Sequence, residues 1–273
     1  MDYFEALNES VDKNNVGDIK TYLDEIITFA PTVVIKENSI FLTLLNYEEE
    51  ISLLTVRAIA ELSKSEENRL ILSDSELLGA LLKLFSNEEL EHIDLYFRAI
   101  GNLCFDNDRS REYIGVDGVQ IILQKCDLVI DHYIETSSLS CTELLFGCLL
   151  NLLMSNDELQ KVALSTDIVG KICKVFPHLC KNIESNLRCI LYVTQVLSMI
   201  IDHIIDEWLP ESLCLLLVDV VKYSMDPELT LVCLEILKIQ LENGKFLIGN
   251  LFLLNIENII FNVCILYLLK YRR

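Results

Sequence analysis

One segment recurs three times along this chain: AIAELSKSEENR from Ala58, AIGNLCFDNDRSR from Ala99 and CLLNLLMSNDELQ from Cys148. Each copy places small and aliphatic residues at helical spacing, then one polar position, a further aliphatic residue and a short polar break. The polar positions are Glu61, Asn102 and Asn151, and they lie 41 and 49 residues apart. Repetition at roughly 40 residues marks stacked helical units, none of which can bury its apolar face alone. Such arrays work by presenting a long surface rather than by enclosing a reaction. Apolar residues make up 52% of the chain, against 9 Gly and 4 Pro. This scarcity of breakers favours helices with buried faces over strands.

The acidic balance narrows the partners. Asp plus Glu number 42 against 22 Lys plus Arg, a formal charge of −20. Nucleic-acid binding needs the opposite sign, an anionic membrane surface would repel the chain, and a cationic partner would be drawn in by long-range steering. The alternative is plain solubility. The ten cysteines form no CxxC pair and sit mostly inside apolar runs. That pattern predicts reduced, buried thiols in a cytosolic protein rather than a disulfide framework. The opening MDYFEALNESVDKNN is acidic and has no apolar core, unlike a secretory or transit signal.

Spacing predicts the organisation. Apolar positions from Phe4 to Phe29 recur every three or four residues, so two helices are expected, broken near Asn14 to Gly17 and ended by Pro31. A third helix should cover Ile40 to Leu45, followed by an acidic link at Glu48 to Glu50. We divide the chain into an N-terminal helical cap, 1–50, four to five repeats over 51–245, and an apolar end, 246–273. The first repeat should hold helices at Leu53–Leu62, Arg69–Leu72 and Leu77–Phe85. The second runs from Ile93 to Cys126 with a turn at Gly118. The third runs from Glu143 to Phe176 and is ended by Pro177. The fourth covers Leu187 to Tyr223, with Pro210 at the first position of its last helix. A fifth opens at Asp226-Pro227, an N-cap followed by Pro. The stretch Phe246 to Leu269 is long enough to span a bilayer, yet it carries Asn250, Asn255, Glu257, Asn258 and Asn262, and a central carboxylate costs about 3 kcal/mol there. A packed terminal helix, an atypical end and an anchor all remain open, with the membrane reading the least favoured.

Catalytic chemistry is absent from the motif content. The four histidines are scattered, and there is no phosphate-binding Gly-rich loop, HExxH or GxSxG. No catalytic residue, metal or cofactor is therefore expected. The candidate site is the ladder itself. An Asn facing a groove can donate and accept hydrogen bonds to an extended peptide, or bond the backbone of the neighbouring helix instead. The turns that follow carry acids, which read either as a staggered rim for a Lys/Arg-rich segment or as ordinary turn chemistry. The candidate partner-binding residues are Glu61, Asn102, Asp106, Asp108, Asn151 and Asp157, with Asn102 expected beside Asn151 and Asp106 near Asp157.

Residues 58–83, AIAELSKSEENRLILSDSELLGALLK, and 98–122, RAIGNLCFDNDRSREYIGVDGVQII, resemble the armadillo-repeat small-GTPase GDP-dissociation stimulators (the SmgGDS family). IAELSKSEENR and RAIGNLCFDNDRSR are the most specific stretches, with Cys104-Phe105-Asp106 after the Asn-Leu pair, and the likeness covers about residues 50 to 245. The resemblance implies an all-α, armadillo-type right-handed superhelical solenoid. It also implies a non-covalent regulator of Ras- and Rho-type GTPases that bear basic, prenylated C-terminal tails, acting on nucleotide exchange or on prenylation and trafficking. A cytosolic site, with association to endoplasmic reticulum or mitochondria, goes with it. The competing expectation is a generic armadillo peptide-binding scaffold. The regular Trp–Asn pairing of import-type receptors is missing, since Trp208 is the only tryptophan.

Overall fold

The computed structural model describes residues 3–204 and 209–242. The expectations for the apolar end at 246–273 lie outside these residues. Within them the chain forms fourteen α-helices and no strand, as the repeat pattern requires. Helices α1 (Tyr3–Asp12), α2 (Val16–Phe29) and α3 (Ser39–Leu44) lead into the first repeat, which holds α4 (Glu49–Leu62), α5 (Glu66–Leu72) and α6 (Ser75–Asn87). The next holds α7 (Ile93–Cys104) and α8 (Asp108–Thr136), and the third α9 (Ser140–Leu153), α10 (Asp157–Ser165) and α11 (Ile168–Leu179). Helices α12 (Leu187–Ile200), α13 (Glu211–Tyr223) and α14 (Pro227–Glu242) follow.

Two compact units divide these helices. The first comprises residues 3–124 and 147–152; the second comprises 125–146, 153–204 and 209–242. In the first, α2 packs on α1 and α4, α4 on α7, and α6 on α3 and α7. Its core is aliphatic with an aromatic cluster, in which Phe85 meets Phe97 edge-on at 5.3 Å and Tyr96 at 5.8 Å. Phe85, Phe97, Leu62 and Ile100 are fully or almost fully buried, and each such side chain contributes about 1.5–3 kcal/mol by leaving water. In the second unit, α12 packs on α10, α11 and α14, and α13 on α11 and α14, around Phe176, Val193, Leu197 and Leu217.

Local chemistry explains several helix starts. The side chains of Asn15, Asp74, Asn156 and Asp226 each accept from an amide in the first turn that follows, satisfying donors that a helix leaves open. Asp226-Pro227 starts α14 as the sequence suggests. Four punctuation marks are shifted. Glu49 and Glu50 form no link but open α4, where their charge suits the positive end of the helix. Pro177 lies inside α11, which continues to Leu179, and Pro210 sits at the N-cap of α13 rather than one place inside. The break in the second repeat is at Gly115, not Gly118. Gly115 has φ 54° and ψ −159°, a backbone region open essentially to glycine, whereas Gly118 continues the helix.

Replacing Gly115 by Ala should therefore cost about 1–3 kcal/mol by forcing a Cβ into that conformation. Urea denaturation followed by circular dichroism measures it, and an unchanged midpoint would show that the chain can straighten there.

Candidate partner-binding ladder

The three polar positions of the repeated segment lie at corresponding places near the ends of α4, α7 and α9, and in the first unit the structure links them in a row. The Asn102 side chain donates from Nδ2 to the Ala60 carbonyl of α4, 2.8 Å away. Asn151 does the same to the Gly101 carbonyl of α7, at 2.9 Å. Of the two roles open to the ladder Asn, bonding the neighbouring helix is thus in place. Each Asn is nevertheless half-buried, and its Oδ1 accepts no hydrogen bond among the described residues, so an acceptor remains on the face. Close approach makes the second bond reachable. A Cβ built on Gly101 would lie 3.2 Å from the Cys148 Cα, tight enough to push α7 and α9 apart. Glu61 plays a different part. Its carboxylate pairs with Lys64 and, at 3.7 Å, with Arg98 on α7. Both pairs are partly exposed, so each contributes about 0–1 kcal/mol.

Behind the ladder lies a second recurrence that the sequence reading missed. The Arg69 guanidinium donates to the Ser63 carbonyl at 3.2 Å, Arg111 to the Cys104 carbonyl at 2.7 Å, and Gln160 to the Leu153 carbonyl at 2.9 Å. All three side chains belong to almost fully buried residues, and each closes the C-terminal end of its ladder helix, where carbonyls lack intrahelical partners. The signal was present: each of the three repeated segments ends in that residue, six or seven positions after the carbonyl it serves. Arg111 does more than its counterparts. It also reaches the Asn151 carbonyl at 3.3 Å and pairs with Asp108, so it ties the acidic turn to the third ladder position. Gln160 has no charge to offer; its Oε1 instead lies 2.8 Å from His203 Nε2.

The acidic turns carry a register different from the one expected. Asp106 and Ser155 share a left-handed backbone, with φ 47° and 53°. The matching positions are therefore Asp106 with Ser155, and Asp108 with Asp157. Asp106 and Asp157 thus hold places two residues apart in the repeat register. Asn107 and Asn156 cap the helices that follow, which makes Asp108 and Asp157 first-turn acids of α8 and α10, a placement favoured by the helix dipole. Asp106 and Asp157 are exposed and make no ion pair among the described residues. Phe105, beside Asp106, is also exposed and is covered on one face by Arg69 at 5.3 Å. The ladder is not uniformly acidic. Arg98 accompanies Glu61, and in the second unit Arg188 of α12 lies 3.3 Å from Glu143 of α9.

The thiols take no part in this surface. Burial pushes Cys104, Cys126 and Cys180 up to about 12 and Cys214 up to about 11. No cluster of three or more potential metal ligands occurs among the described residues. No described helix is long and apolar enough to cross a membrane.

Comparison with known proteins agrees with the fold and with the resemblance read from IAELSKSEENR and RAIGNLCFDNDRSR. No family model matches. The chain is 25% identical over 195 residues to the GTPase-GDP dissociation stimulator vimar of Drosophila melanogaster, covering 69% of this chain and 31% of the relative. It is 24% identical over 136 residues to Rap1 GTPase-GDP dissociation stimulator 1-B of Xenopus laevis, covering 48% and 21%. The chain thus spans less than a third of the length of these relatives. Among solved structures, a designed armadillo repeat protein matches with a TM-score of 0.62 at 14% identity, covering 85% of this chain and 98% of the design. Another, solved with the peptide (KR)4, matches at 0.61 and 14%, covering 85% and 97%. The fold is that of an armadillo-repeat array.

Two outcomes test this geometry. Asn102→Ala and Asn151→Ala should each lower stability by about 1 kcal/mol, the net worth of one hydrogen bond, measured by urea denaturation; no change would mean water replaces the bridge. The buried thiols stay protonated in the fold while the unfolded chain ionises near pH 9, so stability is complete below that pH and declines as pH rises towards 12. Alkylation at pH 8 followed by mass spectrometry should leave Cys104 and Cys126 unlabelled in the native protein and labelled in urea.

Proposed function

We propose that this chain binds small GTPases of the Ras/Rho type through its ladder face, as a non-covalent regulator of nucleotide exchange or of prenylation and trafficking. One observation carries the reading: the similarity to two GTPase-GDP dissociation stimulators, which covers more than two thirds of this chain in the first of them. The ladder supports it. Asn102 and Asn151 keep an acceptor oxygen on the face while bonding the helix behind. In the first unit Asp106 offers an exposed carboxylate suited to a basic C-terminal tail, alongside Glu61 and Asp108, whose carboxylates are already held by Arg98 and Arg111; in the second unit Asp157 offers another exposed carboxylate. The cations interspersed along the ladder suit a partner that presents a folded domain as well as a tail. No group here would form or break a covalent bond. Regulation would act through preferential binding of one nucleotide state, because a ligand shifts an equilibrium only by its differential affinity.

Retention of purified Ras- and Rho-type GTPases on the immobilised chain tests the reading, each GTPase with and without its C-terminal tail. Full-length GTPases should be retained and tail-less ones weakened. Raising salt from about 0.05 to 0.5 M should weaken the tail-dependent part, because exposed charges are screened beyond about 8 Å already at physiological ionic strength. Asp106→Lys together with Asp157→Lys should mainly slow association. GDP release, followed with a fluorescent nucleotide, separates binding from exchange stimulation. If no GTPase is retained while Lys/Arg-rich peptides bind in an Asn102- and Asn151-dependent way, the chain is a general peptide-binding scaffold.

A further inference from the structure

A groove of about 610 Å³ lies between α1 and the 33–40 segment, on the first unit. That is within the roughly 300–1,000 Å³ of ordinary ligand pockets. Its floor is apolar: Phe4, Ile40 and Val34 line it, and Val34 is 53% exposed. Both walls are anchored. Phe4 packs edge-on against Phe41 at 5.9 Å, and Leu7 fixes α1 in the core. On the other side the residues flanking Val34 are pinned by one side chain. Asn68 accepts from the Ile35 amide at 3.0 Å and donates to the Val33 carbonyl at 2.7 Å, while Asn38 donates to the Ile71 carbonyl at 3.1 Å. The exposed Val34 is therefore held in place rather than left on a loose loop.

Charge surrounds this floor. Glu5, Glu9 and Asp12 lie at i, i+4 and i+7 on α1, one face of a helix, and Glu37 stands on the other wall; Lys36 is the one cation among the lining residues. Glu9 holds Lys13 at 3.0 Å. Glu5, Asp12 and Glu37 make no ion pair among the described residues. Carboxylates along the α1 rim of a preformed apolar floor, with Glu37 facing them beside Lys36, complement one kind of occupant: an extended Lys/Arg-rich segment with an apolar side chain between its cations. The rim would bind the cations and the floor would take the apolar group.

We propose that this groove is a second peptide-binding site, separate from the ladder, for a basic segment of a partner protein carrying one apolar anchor. It does not depend on the GTPase reading. The test is fluorescence anisotropy with a labelled hexapeptide of Lys and Arg around one Leu, titrated with the full chain at low salt. The peptide should bind. The triple variant Glu5→Lys, Asp12→Lys and Glu37→Lys should weaken it by about tenfold or more through charge reversal. Val34→Ser should weaken it about fourfold or more, and Ser in place of the peptide Leu about tenfold or more, the scale of an aliphatic side chain left out of contact. Asn102→Ala with Asn151→Ala should remove only the fraction of peptide held at the ladder and leave the rim-dependent fraction in place. If the triple variant loses helicity, Asp12→Lys alone should still weaken binding about threefold. The proposal is overturned if the peptide fails to bind, if rim reversal has no effect, if the Leu and Ser peptides bind equally, or if binding is lost in the ladder variant instead. Loss of GTPase retention with peptide binding intact would count against the ladder reading alone.

Discussion

An array of stacked helices has to satisfy the carbonyls that each helix leaves open at its C-terminal end, in a place where water is largely excluded. In this chain that requirement is met by one long buried donor per ladder helix: Arg69, Arg111 and Gln160. The rest of the ladder depends on it. With the helix end closed, the polar turn can fold back sharply through a left-handed residue at Asp106 or Ser155, and the next helix begins under an Asn cap. The ladder Asn can then reach sideways to the neighbouring helix. Arginine suits the buried position because its planar fork can serve several acceptors at once, as Arg111 does for Cys104, Asn151 and Asp108.

The fold was largely written in the chain. Three aligned segments, few breakers and apolar spacing of three and four pointed to helices, and the helices are there. What was misplaced was punctuation. Pro177 near a helix end is tolerated because little of the helix follows it, so a proline need not be a stop. Glu49 and Glu50 looked like a solvated link, yet acids are also what a first helical turn prefers. Gly115 and Gly118 are indistinguishable by type, and only the backbone conformation separates them.

The candidate site was legible at its centre and blurred at its edges. Asn102 and Asn151 were found because repetition singles them out. Glu61 occupies the same place with different chemistry, since a carboxylate has no proton to give the neighbouring carbonyl and turns to Lys64 and Arg98 instead. The register of the acidic turns escaped the reading because acids crowd that stretch of each repeat, and counting acids does not say which one starts the helix. Arg69, Arg111 and Gln160 were overlooked because burial of a polar side chain cannot be read from its type.

The two recurring sets of hydrogen bonds differ in how much chain must be closed to make them. The helix-closing bonds span six or seven residues, so one repeat can form its own. The ladder bonds span 42 and 50, and neither exists until two neighbouring repeats are in place. Loop closure makes the first kind fast and the second slow. Assembly of the first unit should thus run as a zipper, in which each repeat finishes itself and the Asn side chain then latches it to the one before.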